Sequence, residues 1–328
     1  MDDGRWLMEN GDGRLGVGSR DEKNIIVIVG STCSSKTNLS LKLAELIPSE
    51  VISADSRQIF KYLNIGTAKP SKEQLQKVPH HLIDFLDPSE NYDVSKFEKD
   101  ANGIIDQIHK KNKTPIVVGG SGLYIKALID GIFNTADRDD EYREHLLQKR
   151  KDFGNEFLYE ELKKVDLTSA ERMLPQNWKR VMRALEVFHT TGEPIWKHHL
   201  KQSTQTEKKY LFRQYGLNWD RKILYENINY RVDWMIENGL IEEVKTILNL
   251  GYDKSLNSLN TVGYKEIIQY LDGINSLERS VELIKRNTRH YAKRQMTWFR
   301  KDKRINWFDV NDLNEFDIIA KKIIAALK

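Results

Sequence analysis

Between Gly30 and Thr37 the chain reads Gly-Ser-Thr-Cys-Ser-Ser-Lys-Thr, a run of small residues that ends on a cation and a hydroxyl. Small side chains let successive backbone N–H groups close around phosphate oxygens at a helix N-terminus, while a lysine adds charge and a hydroxyl can bind Mg²⁺. Gly30, Thr32, Cys33, Ser34, Ser35, Lys36 and Thr37 are therefore the expected phosphate-binding residues, with Thr37 as the Mg²⁺ ligand. The strict phosphate-loop pattern carries a glycine just before the lysine. Ser35 stands there instead, so the match fails at one position, and a plain strand-to-helix turn with a surface lysine is the alternative.

A second run, Ala54-Asp-Ser-Arg-Gln58, places Asp55 directly after an apolar segment. In an open α/β sheet that is where ligands gather, outside the carboxyl ends of the strands. A carboxylate there can serve as a general base, or it can cap the turn that follows, residues 56–60. A third run, Pro115-Ile-Val-Val-Gly-Gly-Ser-Gly-Leu-Tyr124, lets backbone approach a ligand closely and sets the Ser121 hydroxyl at the start of a helix.

The elements that must position these residues follow from periodicity. Residues 24–29 form a continuous β-branched run, which predicts a strand buried on both faces, and 36–47 carries Leu39, Leu43 and Leu46 at helical spacing. Residues 51–54, 82–85 and 116–118 read as further strands, with a helix between the last two whose stripe is Phe97, Ala101, Ile104 and Ile108. Such alternation predicts an α/β fold, a phosphate-loop-type parallel sheet with flanking helices. From about Asp137 the pattern changes to charged helices over 139–151, 155–164 and 176–189, without a strand, ended by a polar stretch at 201–208. A strand at 210–217 resumes the sheet, and helices follow at 221–237, 240–250, 264–271 and 277–300. The expected organisation is a disordered tail at 1–23, a catalytic core over 24–137 and 207–328, and an inserted all-helical module at 138–206.

With 328 residues the chain can bury a sizeable core, and no apolar run approaches the roughly 18 residues of a membrane-spanning helix. Its single cysteine, Cys33, excludes an internal disulfide and a multi-cysteine zinc site, and points to a reducing compartment, the cytoplasm. The net charge of +4 is too small to identify a nucleic-acid partner. Its distribution is more informative, because residues 261–304 hold eleven Lys or Arg against five Asp or Glu. On the helix at 277–300, Lys285, Arg289 and Lys293 recur at four-residue intervals, a basic stripe suited to phosphates or simply a solvated face.

The three runs, in this order, resemble the tRNA dimethylallyltransferases, also called tRNA isopentenyltransferases. The resemblance continues through Gly66-Thr-Ala-Lys-Pro70, His80-His-Leu-Ile-Asp84, Arg183-Ala-Leu-Glu-Val187, Val262-Gly-Tyr-Lys-Glu266 and Tyr291-Ala-Lys-Arg-Gln295. It implies transfer of a dimethylallyl group from its diphosphate to the N6 amine of the adenine 3′ to the anticodon, in tRNAs reading codons that begin with U. The product it implies is N6-isopentenyladenosine. It also implies Asp55 as the general base, Ser121 in contact with the target nucleotide or the diphosphate, Arg143 at the active centre, and Arg231 on the diphosphate beside the loop residues. The family usually has threonine where Ser121 stands.

For tRNA the resemblance implies contacts at Asp55, Ser56, Arg57 and Gln58, which read the flipped base. It adds Gln176, Asn177, Trp178, Lys179 and Arg180, then Thr261, Val262, Gly263, Tyr264, Lys265 and Glu266. Trp178 replaces a residue that is usually not aromatic. The expected partners are the anticodon stem-loop and dimethylallyl diphosphate, met by a monomer with Mg²⁺ and no membrane partner. An adenylate isopentenyltransferase of the cytokinin type would share the loop, Asp55 and the glycine run, but has little need for 261–266 or a basic helix. A nucleotide-dependent kinase or an inactive RNA-binding paralogue would leave Asp55 idle.

Overall fold

A computed structural model describes residues 8–9, 15–16, 23–132, 139–198, 200 and 210–327. The expected tail at 1–23 lies outside these apart from Lys23 and a short antiparallel pair, Met8–Glu9 with Leu15–Gly16. The polar stretch at 201–208 lies outside them as well. The chain divides into two compact units, one built from 1–90, 103–122 and 208–328, the other from 91–102 and 123–207.

The first unit is organised around a six-stranded sheet. Its strands are β1 (Asn24–Gly30), β2 (Ser49–Ser53), β3 (His80–His81), β4 (Thr114–Gly119), β5 (Leu211–Trp219) and β6 (Asn306–Val310), in the order β3-β2-β4-β1-β5-β6. Every neighbouring pair is parallel. The central strand β1 has Ile25 to Val29 fully buried, as its unbroken β-branched run requires when both faces are covered. Register aligns Val29 with Gly119 and Ser53 with Val118, so the segments after β1, β2 and β4 emerge together at the carboxyl end of the sheet. The core joins Ile26, Ile28, Val51, Ile116 and Leu217 to Leu39 and Leu43 of α1 (Lys36–Leu46).

Three local departures from the sequence reading have physical causes. The edge strand is His80–His81 rather than 82–85, because Leu82 (φ 58°) and Asp84 (φ 55°) take left-handed conformations that end it. Ile105 rather than Ile104 completes the buried stripe of α3 (Val94–Lys110), which follows the short α2 (Lys72–Lys77). β6 and the last helix, Phe316–Ala325, had no clear signal: β6 lies at the sheet edge with only Val310 buried, while Phe316, Ile319 and Ile323 pack with Leu39 and Leu43. At the opposite end of the sheet, buried Glu50 accepts from His81 (2.8 Å), Lys111 (3.1 Å) and Lys113 (3.0 Å). Burial pushes its pKa up, but these bonds override that and hold it at about 2.

The second unit is helical and carries its own core, with Leu146, Leu158, Leu162, Val181 and Leu185 together. Its helices include α4 (Gly122–Asp130), which starts in the first unit, then α5 (Asp140–Val165), α6 (Leu167–Ala170) and α7 (Trp178–Thr191). A break at Gly154 (φ 86°) splits α5 into two pieces. Among the described residues no helix is long and apolar enough to cross a membrane.

Candidate active site

The loop after β1 is shaped by its own side chains. Ser34 Oγ donates to the Ser31 carbonyl (2.8 Å), Lys36 Nζ donates to the same oxygen (2.6 Å), and Trp219 Nε1 donates to the Ser34 carbonyl (3.1 Å). To turn tightly into α1, the chain puts two non-glycine residues in the left-handed region, Cys33 (φ 61°) and Ser35 (φ 60°). The position where the strict pattern has glycine is thus one whose backbone favours glycine.

Asp55 follows β2, and its Oδ1 accepts from the Arg57 N–H (2.9 Å), a local turn that fixes the carboxylate. The neighbouring strand end is tied in by Ala54 N–H to the Val118 carbonyl (2.8 Å) and Ser121 N–H to the Ala54 carbonyl (3.2 Å). Ser121 Oγ accepts from the Ser56 N–H (3.0 Å), so this hydroxyl supports the Asp55–Ser56 segment. Gln295, almost fully buried, joins the two motifs: its Oε1 accepts from the Thr32 N–H (2.8 Å) and its Nε2 donates to the Gly120 carbonyl (2.9 Å). A Cβ at position 120 would lie 2.2 Å from that Nε2, so any larger residue there would push the Gln295 amide off the Gly120 carbonyl.

Two cavities open on Asp55. One, of about 210 Å³, is lined by Thr32 to Thr37 together with Gln58, Gln74, Gly119, Gly120 and Gln295. The other, of about 330 Å³, is lined by Ser56 and Arg57, by Thr261, Val262, Gly263 and Lys265, and by the apolar Val232, Met235 and Ile284. Thr32, Asp55, Thr67, Ala68, Arg231 and Tyr291 line both. Arg231 comes from the helix Arg221–Glu237, which we term α8, and has no carboxylate partner among the described residues. Burial pushes the Lys36 ammonium down to about 8, against the pull of Asp55 and helped by the charge of Arg231. Burial, with the Asp55 charge second, pushes the Tyr291 hydroxyl up to about 12.

The other sequence-predicted residues are placed unequally. Gln58 fixes the cavity wall, donating to the Thr67 and Ala68 carbonyls (3.1 Å each). Tyr264 is fully buried, its hydroxyl donating to Glu243 (2.6 Å), and Glu266 is buried between the Gly263 N–H (2.7 Å) and Asn287 (2.8 Å); both shape the 261–266 segment from within. On α11 (Leu277–Phe299), counted after α9 (Leu240–Asn249) and α10 (Tyr264–Leu271), the stripe is not uniformly free. Lys285 is ion-paired with Asp233 (2.5 Å) and Arg289 donates to Asn229 (2.7 Å), while Lys293 is exposed. Periodicity shows that these cations share a face but not that α8 supplies partners for two of them.

Two groups belong to the second unit. Arg143 is held bidentately by fully buried Glu186 (2.6 and 2.9 Å) and is not among the residues lining either cavity. Gln176, Asn177, Lys179 and Arg180 are exposed, and the Trp178 ring carries the Arg150 guanidinium at 3.9 Å and Lys179 at 5.4 Å.

Sequence reasoning assigned no role to Gln295, Tyr291, Thr67 or Ala68, although each lies in a run that carried the resemblance. It missed Glu243 altogether, whose carboxylate accepts from the N–H groups of Asn64 (3.1 Å), Ile65 (2.8 Å) and Gly66 (3.2 Å). No cluster of three His, Cys, Asp or Glu among the described residues could hold a metal ion. A hydroxyl and one carboxylate, Thr37 and Asp55, stand on the wall of the smaller cavity. That set fits Mg²⁺, which takes most of its oxygens from water and substrate phosphates.

The family model described as IPP transferase matches residues 58–302. The tRNA dimethylallyltransferase of Thermoanaerobacter sp. (strain X514) is 43% identical over 305 residues, covering 92% of this chain and 97% of the relative. Among solved structures, the tRNA isopentenylpyrophosphate transferase of Bacillus halodurans is similar at 39% identity and TM-score 0.69, covering 93% of this chain and 97% of that one. A eukaryotic dimethylallyltransferase acting on tRNA is similar at 29% identity and TM-score 0.80, covering 93% of this chain and 78% of that one.

Proposed function

This chain belongs to the IPP transferase family, and from that premise we propose that it transfers a dimethylallyl group from dimethylallyl diphosphate to the N6 amine of a tRNA adenine. The target is the adenine 3′ to the anticodon in tRNAs reading codons that begin with U, and the product is N6-isopentenyladenosine. The observation that carries this reading is Asp55 on the wall of both cavities. A diphosphate in the loop-lined cavity and a base in the larger one would meet at that carboxylate.

In the reaction the N6 nitrogen attacks C1 of the dimethylallyl group, the C1–O bond to diphosphate breaks with its electron pair leaving on oxygen, and the N6 proton passes to Asp55. An aromatic amine is a poor nucleophile because its lone pair is delocalised into the ring, which gives the carboxylate its task. Lys36, Arg231 and the loop N–H groups meet the charge that develops on the leaving diphosphate. Mg²⁺ held with Thr37 would supply further neutralisation of that charge. Ser121 and Gln295 act as positioning residues, through Ser56 and through Thr32 and Gly120. Arg57 and the 261–265 segment border the larger cavity as RNA contacts; Gln176 to Arg180 offer further ones, and an anticodon loop can splay a base outward at little cost. The lone Cys33 supports a reducing, cytoplasmic setting.

Incubating the protein with radiolabelled dimethylallyl diphosphate, Mg²⁺ and unmodified tRNA, with AMP and ATP as parallel acceptors, tests the proposal. Label is expected in tRNA at the adenine beside the anticodon. Label in AMP or ATP alone, or in no acceptor, would overturn it.

A further inference from the structure

A third cavity, of about 220 Å³, lies behind the phosphate loop. Its rim carries Arg221, Lys293 and Arg300, and its floor is apolar, with Leu224 and Met296. No carboxylate lines it, and none of the three cations is ion-paired among the described residues. Along α11 and its capping residue Arg300, the positions 293, 296 and 300 recur at helical spacing, so one face turns cations and an apolar patch toward the first turn of α8. There the Arg221 guanidinium lies 5.2 Å from the centre of the Tyr225 ring. Arg289, one turn before Lys293, covers the same ring at 5.9 Å, which extends the positive surface into a line.

Three cations converging on a concave, partly apolar space repel one another unless an anion joins them. We propose that this cavity binds a nucleotide unit, its phosphate at the Arg221, Lys293 and Arg300 rim and its ribose or base against the apolar floor. The chemistry is that of a phosphate ester carrying a flat or apolar body, since guanidinium forks match phosphate oxygens while Leu224, Ala292 and Met296 offer apolar surface to the rest; Arg300 already donates to Asn218 (3.2 Å) on the same wall. The line of charge favours a nucleotide within an RNA strand, away from the one that reacts. The inference rests on the reading that the chain handles RNA. The wall of the cavity includes Ser31 and Trp219, the residues whose carbonyl and indole hold Lys36 and Ser34. A strand bound there would therefore lie against the back of the phosphate loop.

The test is the double variant Arg221→Gln with Arg300→Gln, and its charge-preserving counterpart Arg221→Lys with Arg300→Lys. Binding of unmodified tRNA is measured from about 50 to 300 mM salt, and binding of AMP and dimethylallyl diphosphate in parallel. Loss of two phosphate contacts should flatten the slope of log K against log salt by about 1.5 units and weaken tRNA binding about tenfold near 150 mM. The lysine pair should restore most of the slope, with the melting temperature and dimethylallyl diphosphate affinity unchanged in both variants. A loss confined to AMP would identify a free nucleotide as the occupant. Unchanged tRNA slope and unchanged AMP binding in a folded glutamine variant would overturn the inference. Prenyl transfer by the wild type is scored separately, so its absence would count against the proposed activity and not against this site.

Discussion

Replacing Ser35 by glycine should stabilise the chain while leaving diphosphate binding almost unchanged. Ser35 sits at φ 60° and ψ 31°, at the residue that precedes α1, and its side chain makes no capping hydrogen bond. A left-handed backbone costs a residue other than glycine roughly 1–2 kcal/mol. Glycine raises the conformational entropy of the unfolded chain and returns about 0.4–1 kcal/mol of that gain. The net expectation is a stabilisation of about 0.5–1 kcal/mol. At Cys33, which shares the left-handed conformation, the same change would remove a buried side chain, so Ser35 is the clean site. The turn is fixed by bonds within the chain, Ser34 to Ser31 and Trp219 to Ser34, so the cost of Ser35 falls on folding rather than on ligand capture. Urea unfolding is the assay: the midpoint should rise by about 0.2–0.3 M for an m-value near 3 kcal/mol/M, with m unchanged. KM for dimethylallyl diphosphate should stay within about twofold. A glycine variant no more stable than wild type would refute the assignment of strain to this position, and a tenfold gain in diphosphate affinity would show that the turn is completed only on binding.

Asp55→Asn keeps the acceptor for the Arg57 N–H, so the fold and tRNA affinity should persist while single-turnover prenyl transfer falls by about two orders of magnitude or more; a rate within threefold of wild type would remove Asp55 from the mechanism. Lys36, with a pKa near 8 below its ordinary 10.5, destabilises the fold below about pH 8, a penalty that fades toward pH 10.5. Its charge is lost over the same range, so affinity for dimethylallyl diphosphate should be flat below about pH 8 and fall by up to tenfold per pH unit above it. Calorimetric titration should show that dependence vanish in Lys36→Arg, and its survival there would assign it elsewhere. Gln295→Leu strands the Thr32 N–H and the Gly120 carbonyl, each costing about 1–3 kcal/mol, and should lower the melting temperature. It should also raise KM for the diphosphate several-fold more than it lowers kcat, whereas an equal loss in both would mark Gln295 as purely structural.

The parts of this molecule that were legible in sequence are those set by local rules. An unbroken β-branched run announces a central strand, and the small residues after it announce a tight turn into a helix, so the cavity wall formed by Thr32 to Thr37 and Asp55 could be read directly. The strand at 82–85 was misplaced because two left-handed residues, Leu82 and Asp84, override the apolar signal, and nothing in their types demands that conformation. The basic stripe on α11 was legible as charge, yet the ion pair of Lys285 with Asp233 and the hydrogen bond of Arg289 to Asn229 depend on which helix packs against it. Arg143 carried a role by resemblance alone, while its bond to buried Glu186 is a tertiary fact. Gln295 meets Thr32 across 263 positions of sequence, a separation at which spacing carries no information.

Glu243 and Gln295 together show why the last third of the chain cannot be divided from the chemistry. Gln295 sets the distance between the phosphate loop and the Gly120 turn, and Glu243 gathers three N–H groups of the segment that leads into Thr67 and Ala68 on the cavity wall. Tyr264 donates to the same carboxylate, and its ring packs so closely on Gly66 that a Cβ there would lie 2.4 Å from it. Tyr264 also sits inside the 261–266 segment, whose Thr261, Val262, Gly263 and Lys265 line the larger cavity. A displacement of that segment by RNA would therefore be felt through Glu243 at the wall beside Asp55, since buried, fully bonded groups move together or lose their partners. On the proposed reading, the 261–266 segment that would meet RNA is the same one that holds the wall beside Asp55 in shape, and an enzyme needing only a free nucleotide would have little use for that coupling.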